Sequence, residues 1–136
     1  MRGVERNGNE KLTLLELALQ LEGDIRRRLE PIRVTPLQAG VLLFLCRHAE
    51  ARVTDIAEAL GVRVSTLSGV LTTLARKRWV TKRRSVTDTR VVHVMLSRQG
   101  QLLAQKIKGQ VRQISIRGVE NTGLITSVTK QKQSCL

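Results

Sequence analysis

Between Val53 and Gly100 the hydrophobic period of the chain changes from helical to alternating. Apolar residues first recur at spacings of three and four, break at Gly61, and resume. After Trp79 they alternate with polar residues one by one. A period near 3.6 marks helices and a period of 2 marks strands, so the order predicted is helix, tight turn, helix, β-hairpin. That is a helix-turn-helix followed by a wing, a shape suited to gripping duplex DNA. Charge is distributed to match. Residues 1–60 carry nine Lys/Arg and nine Asp/Glu, whereas residues 61–136 carry fifteen Lys/Arg and two acids, so the net +13 lies in the second stretch. A one-sided positive field is an electrostatic footprint for a polyanion.

Local signals sharpen the two helices. Thr54 is placed to cap the first, Asp55 sits in its first turn, and Gly61 supplies a left-handed stop. Ser65 is placed to cap the second, over 65–77, on which Leu67, Val70, Leu71 and Leu74 form one apolar face. Opposite them lie Ser65, Gly69, Thr72 and Arg76, flanked by Ser68 and Thr73. An ordinary solvated face carries Glu and Lys; this one is small, hydroxylated and basic. A face entering a major groove about 12 Å wide favours small side chains, with Ser and Thr reaching phosphates or base edges. Arg63, Ser65, Thr66, Ser68, Gly69, Thr72 and Arg76 are therefore the candidates for groove and phosphate contact.

The wing is expected over 80–96, with strands Val80 to Arg83 and Val91 to Leu96 and a polar tip from Arg84 to Arg90. Lys82, Arg83 and Arg84 would serve the DNA backbone. Asp88 stands two residues from Arg90, close enough to orient its guanidinium, and an Arg presented at a hairpin tip suits a narrow minor groove.

Around this centre the chain reads as a single domain, 1–136. A helix is expected over 10–30, with Leu14, Ala18, Leu21, Ile25 and Leu29 on one stripe widened by Leu15 and Leu19. Pro31 ends it. Thr35, Pro36 and Gln38 form a capping box for an apolar helix running to about His48, itself a surface cap residue. Another helix follows Ser97, carrying Leu102, Leu103, Ile107, Val111 and Ile114, and residues 118–136 lose the helical pattern. Cys46, in VLLFLC, reads as a buried core thiol rather than a redox sensor, and with Cys135 it makes no disulfide framework. No run reaches the roughly 18 apolar residues of a membrane span, and Glu16, Gln20 and Glu22 interrupt any signal-like stretch, so a cytoplasmic location is expected. The basic residues are not ranged along an amphipathic helix opposite Trp and Phe, so no membrane partner is expected either.

These residues resemble the MarR (multiple antibiotic resistance regulator) family of bacterial winged-helix transcription factors. The resemblance rests on TPLQAGVLLFL, on VTDIAEALGVRVSTLSGVLTTLARKRWV, on Asp88-Thr89-Arg90 and on Leu96-Ser97-Arg98-Gln99-Gly100. It covers roughly residues 12–115. It implies a mainly α fold with a small β-hairpin wing, a DNA-binding core over 35–97, and N- and C-terminal dimerisation helices at 10–30 and 98–117. It also implies a homodimer on double-stranded DNA, Arg90 in the minor groove, and a small phenolic or other aromatic effector that releases the DNA. The chain departs from the family at Arg78, where Gly is usual, and at 118–136, which lacks a leucine-rich closing helix.

The leading expectation is thus a sequence-specific, dimeric regulator, a repressor, reading a pseudo-palindrome through the helix at 65–77 and the wing at 80–96. The alternative is a winged-helix module docking RNA or an acidic protein. It would need aromatic anchors on the outer face of the second helix, and Phe44 and Trp79 both lie elsewhere. His48 and His93 stand far apart, His93 reads as structural or exposed, and no metal-ligand spacing or phosphate-cradling glycine loop occurs. An enzyme, a metal and a cofactor are therefore not expected.

Overall fold

The computed structural model describes residues 13–112. Helix α1 spans Leu14–Leu29 and opens on a capping box: Thr13 Oγ1 accepts from the Glu16 N–H at 3.1 Å, and Glu16 accepts from the Thr13 N–H at 2.9 Å. Satisfying two orphan donors reciprocally sets where the helix begins. Pro31 falls in a 3₁₀ turn, Glu30–Ile32, which closes on Arg33 in the left-handed region (φ 58°). Helix α2, Pro36–Arg47, begins on the Thr35/Gln38 capping box that its sequence predicts and ends at His48, whose ring stacks on Phe44 with centroids 4.3 Å apart.

Strand β1 is only Ala51–Arg52; helices α3 (Val53–Leu60) and α4 (Val64–Arg76) follow, then strands β2 (Val80–Arg84) and β3 (Val92–Leu96), and helix α5 (Arg98–Val111). The sheet has three antiparallel strands in the order β1-β3-β2, with Val80 opposite Leu96 and Arg84 opposite Val92. The hairpin anticipated as a wing is therefore completed by β1, which pairs Ala51 with Val94 and Arg52 with His93. Helix α2 lies at the centre, with Ala39, Val41, Leu42, Phe44 and Leu45 buried and with α1, α3, α4, α5 and β3 packed around it. Leu67, Leu71 and Leu74 of α4, Ile56 of α3, Val94 of β3 and Ile107 of α5 close the same core.

Several local expectations are corrected. Thr54 and Ser65 do not cap: the cap residues of α3 and α4 lie two positions earlier, at Arg52 and Arg63, with no side-chain capping bond. The cause at α3 is tertiary, because Arg52 is held in β1 opposite His93 and the helix turns inward immediately after it. The α1 stripe, wider than one small domain needs, is shared between the core and an outer face. Leu29 is buried and Ile25 packs against the core, but Leu14, Leu15, Ala18 and Leu19 are exposed, and Leu17 is buried in their stead. On α5, Leu102 is exposed while Ala104 and Ile107 face inward. Arg84 belongs to β2 rather than to the tip. Cys46 is half-buried against the core rather than fully buried. Ile114, Cys135, the end of the helix expected over 98–117 and the 118–136 tail lie outside the described residues.

One junction holds the DNA-binding half to α5. Ser97 caps α5, accepting from the Gly100 N–H at 3.0 Å, and its hydroxyl donates to the Arg78 carbonyl at 2.7 Å. The Ser97 N–H donates to the Trp79 carbonyl at 3.0 Å. Gly100 is packed so closely here that a Cβ would collide with the Trp79 carbonyl and come within 3.0 Å of Leu96 Cδ2. Neither β2 nor the start of α5 can move without breaking these bonds. Gly100→Ala is expected to cost about 2 kcal/mol or more, the scale of overpacking against unyielding backbone. Urea unfolding checks it, and an unchanged midpoint would show that the junction yields.

Candidate nucleic-acid interface

The turn between α3 and α4 is built by Gly61, which adopts φ 69° while its N–H reaches back to Ala57 and Glu58 carbonyls. The chain then extends through Arg63 (ψ 149°) and re-enters a helix at Val64. Because no side chain caps α4 and no acid stands in its first turn, the amides there keep their partial positive charge facing outward. Leu67, Leu71 and Leu74 bury the inner face. Ser65, Thr66, Ser68, Gly69, Thr72 and Arg76 are all exposed, and Thr73 is half-buried. Thr72 Oγ1 donates to the Ser68 carbonyl at 3.0 Å. Its hydroxyl hydrogen is thereby committed, and what it turns outward is acceptor capacity and a methyl group. Nothing lies within 4 Å of where a Gly69 Cβ would stand, so no internal packing calls for glycine in mid-helix.

Helix α4 ends without glycine. Arg78 takes the left-handed conformation (φ 64°), and its N–H reaches the Ala75 carbonyl at 2.9 Å. A non-glycine residue there carries a strain of roughly 1 kcal/mol. Lys77 Nζ lies over the Trp79 ring, 5.0 Å from its centroid.

In the wing, Lys82, Arg83 and Arg84 are exposed on β2. Two of these side chains are committed: Arg83 Nη2 donates to Glu50 Oε2 at 2.7 Å, and Arg84 Nη1 donates to the Thr89 carbonyl at 2.8 Å. Glu50 also lies 3.0 Å from His93 Nδ1, so one carboxylate ties the α2–β1 connection to both strands of the wing. At the tip, Arg90 donates from Nε to Asp88 Oδ1 (3.1 Å) and from Nη2 to Oδ2 (3.4 Å), while its backbone N–H donates to Oδ1 (3.1 Å). The guanidinium is oriented yet remains 89% exposed. Those bonds, side chain first and backbone second, hold the Asp88 carboxyl below its ordinary value against a small opposing effect of burial. The carboxylate therefore stays charged, and the pair intact, to lower pH than an ordinary aspartate allows.

Charge pairing divides the described residues. Arg26 pairs with Glu22, Arg27 with Asp24, Arg52 with Asp55 and Arg83 with Glu50. Arg63, Arg76, Arg78 and Lys82 make no ion pair among the described residues. They lie at the start and end of α4 and on the adjoining strand, and α4 packs against β2, so the helix face and the wing form one unit. The candidate residues named from the sequence all lie on this unit, exposed except for the half-buried Asp88. Sequence reasoning misses Glu50, because the partner carboxylate is 33 residues from Arg83 and carries no local signal.

The sequence model of the MarR family matches residues 34–91, from the start of α2 through the wing tip. The HTH-type transcriptional repressor MdtR of Bacillus subtilis (strain 168) is 26% identical over 97 residues, 71% of this chain and 63% of that protein, so the chain spans under two thirds of its relative's length. Wild-type MarR from E. coli in its apo form shares the fold with a TM-score of 0.72 at 20% identity, over 89% of this chain and 98% of that one. A mutant MarR from E. coli complexed with operator DNA gives 0.70 at 18% identity, over 85% and 89%. The helix-turn-helix and wing are thus similar in sequence to the MarR family, and the fold shared with the solved MarR structures extends to the flanking helices.

Proposed function

We propose that this chain is a sequence-specific DNA-binding transcriptional regulator, a dimeric repressor that inserts α4 into the major groove and the wing tip into the minor groove. The observation that carries this is the set of unpaired cations, Arg63, Arg76, Arg78 and Lys82, around an acid-free, small-residue helix face. On α1 and at the base of the wing acids neutralise arginines; around α4 that counter-charge is left to an outside body, as phosphates supply it. The relatives support the assignment: one is a transcriptional repressor, and another is complexed with operator DNA.

Dimerisation belongs to the same proposal. Leu14, Leu15 and Leu19 of α1 and Leu102 of α5 are 58–70% exposed, on the two helices that frame the core. A second copy would cover them and set two α4 helices about 34 Å apart, one turn of duplex. A small-molecule effector would bear on both parts from the groove between the end of α2, β3 and α5, lined by Leu45, Met95, Leu96, Leu102, Arg47 and Arg98. No catalytic step is involved, and a cytoplasmic location goes with binding DNA. No observation favours a module docking RNA or protein, since Phe44 is buried and Trp79 is half-buried beneath Lys77.

Selection from a randomised duplex pool tests the proposal. The winner should be two-fold symmetric and bound about 10³-fold tighter than a scrambled duplex. Both complexes should weaken steeply between about 50 and 200 mM salt, by ~10³–10⁵ for six to ten phosphate contacts. A pool that yields no preferred sequence would falsify it.

The wing is tested by two substitutions measured by fluorescence anisotropy. Arg90→Ala should weaken binding about tenfold or more with thermal stability unchanged, since the side chain is exposed. Asp88→Asn removes a negative charge beside the duplex, yet it should also weaken binding, because Arg90 loses its orientation. Tighter binding by Asp88→Asn would mean that the carboxylate only repels phosphate. The helix face is tested at Gly69. Gly69→Ala should stabilise the fold by about 1 kcal/mol, the helix-propensity difference, while reducing affinity for the selected duplex. Equal affinity would take that face out of the groove.

A further inference from the structure

Val86 is 96% exposed at the wing tip, more than any other large apolar side chain exposed among the described residues. It plays no part in holding the tip together. The Ser85 N–H bonds the Val91 carbonyl at 2.8 Å and the Val91 N–H bonds the Asp88 carbonyl at 2.9 Å. Ser85 Oγ accepts from the N–H groups of Thr87 and Asp88 at 3.2 and 3.3 Å. Arg84 clasps the Thr89 carbonyl and Asp88 clasps Arg90. Turn positions favour Gly, Asn, Asp and Ser, and a β-branched apolar residue contributes to a turn nothing that these bonds do not already supply. The tip is thus closed by its own hydrogen bonds and leaves an arginine and a valine exposed, with its one acid engaged by that arginine.

We infer that Val86 is a specificity residue of the wing, resting on the floor of the minor groove beside Arg90 and selecting A·T over G·C pairs there. The inference rests on the regulator reading and goes beyond it. A partner that accepts both an exposed, Asp88-oriented guanidinium and an exposed isopropyl group at one tip must offer negative charge next to a surface without donors. The minor groove of an A·T tract does so, with phosphate walls, acceptor atoms that the guanidinium can bond, and no donor group in its floor. A G·C pair adds the guanine N2 amino group. Valine has no acceptor, so seating it on that amino group strips the donor of water and leaves it unpaired, a penalty of about tenfold in affinity per base pair. Arg90 draws the tip into the groove, and Val86 makes the groove floor matter.

The test uses the full chain and its selected duplex, altered only on the minor-groove side. Replacing adenine by 2,6-diaminopurine at the wing-facing pairs adds the amino group and leaves the major-groove edge of the base in place. Affinity should fall about tenfold. A G·C pair at the same place should do likewise, and inosine in place of the guanine should restore binding. In Val86→Ser, whose hydroxyl can accept from the amino group, the diaminopurine penalty should shrink to about threefold or less with thermal stability unchanged. A wild type indifferent to diaminopurine, a penalty undiminished in Val86→Ser, or a selected site with G·C pairs under the wing would each overturn the role of Val86 while leaving the regulator standing. Failure of the wild type to prefer any duplex would overturn the regulator itself, and this inference with it.

Discussion

The arrangement of the DNA-facing surface depends on one crowded junction, where α4 ends, β2 begins, β3 ends and α5 begins. Arg78 turns the chain through a left-handed residue, and its carbonyl is taken by the Ser97 hydroxyl. The Trp79 carbonyl is taken by the Ser97 N–H and pressed by Gly100, where only a residue without a Cβ fits. These bonds join residues far apart in sequence through groups with no freedom to relax. The angle between the helix face and the wing is consequently a property of the packed core and not of either element. A strained non-glycine backbone at Arg78 persists because its surroundings over-determine it.

Electrostatics then does the sorting. The chain carries its basic residues both on the helix α1 and around α4, but their situations differ. On α1 they sit a turn from acids and form i, i+3 and i, i+4 pairs, which contribute little and leave little field. Around α4 the acids are missing and the amides of an uncapped helix start add to the field. Glu50 shows the same logic within the wing. It engages Arg83 and His93, on the sheet face shared with Arg52, and ties the wing to the connection that precedes the helix-turn-helix. Arg83 is therefore a fastening of the wing as well as a cation near its base, which distinguishes it from Lys82 one residue before.

How much was legible in the sequence varied with the range of the deciding interaction. The start of α2 was readable to the residue, because Thr35 and Gln38 satisfy each other's amides within one turn. The Asp88–Arg90 pair was readable because it spans two residues. The caps of α3 and α4 were misplaced by two residues, since capping preference pointed to Thr54 and Ser65 while the pairing of Arg52 with His93 settled where α3 begins. Strand β1, two residues long, has no period to detect, and it forms only because β3 presents an edge to it. On α1 the spacing of leucines revealed an apolar face but not which of them the core would cover.

The sequence by itself determined the order of helices and strands, the sign and placement of the charge, and the small, acid-free outer face of α4. Each of these rests on interactions within a few residues: caps, periodicity, turn residues and simple composition. Tertiary structure decided which cations stay unpaired, which leucines remain outside the core, and that Val86 stands clear on a tip closed by its own hydrogen bonds. Those outcomes depend on groups brought together from distant parts of the chain, such as Glu50 with Arg83 or Ser97 with Arg78, and a local pattern carries no record of such meetings.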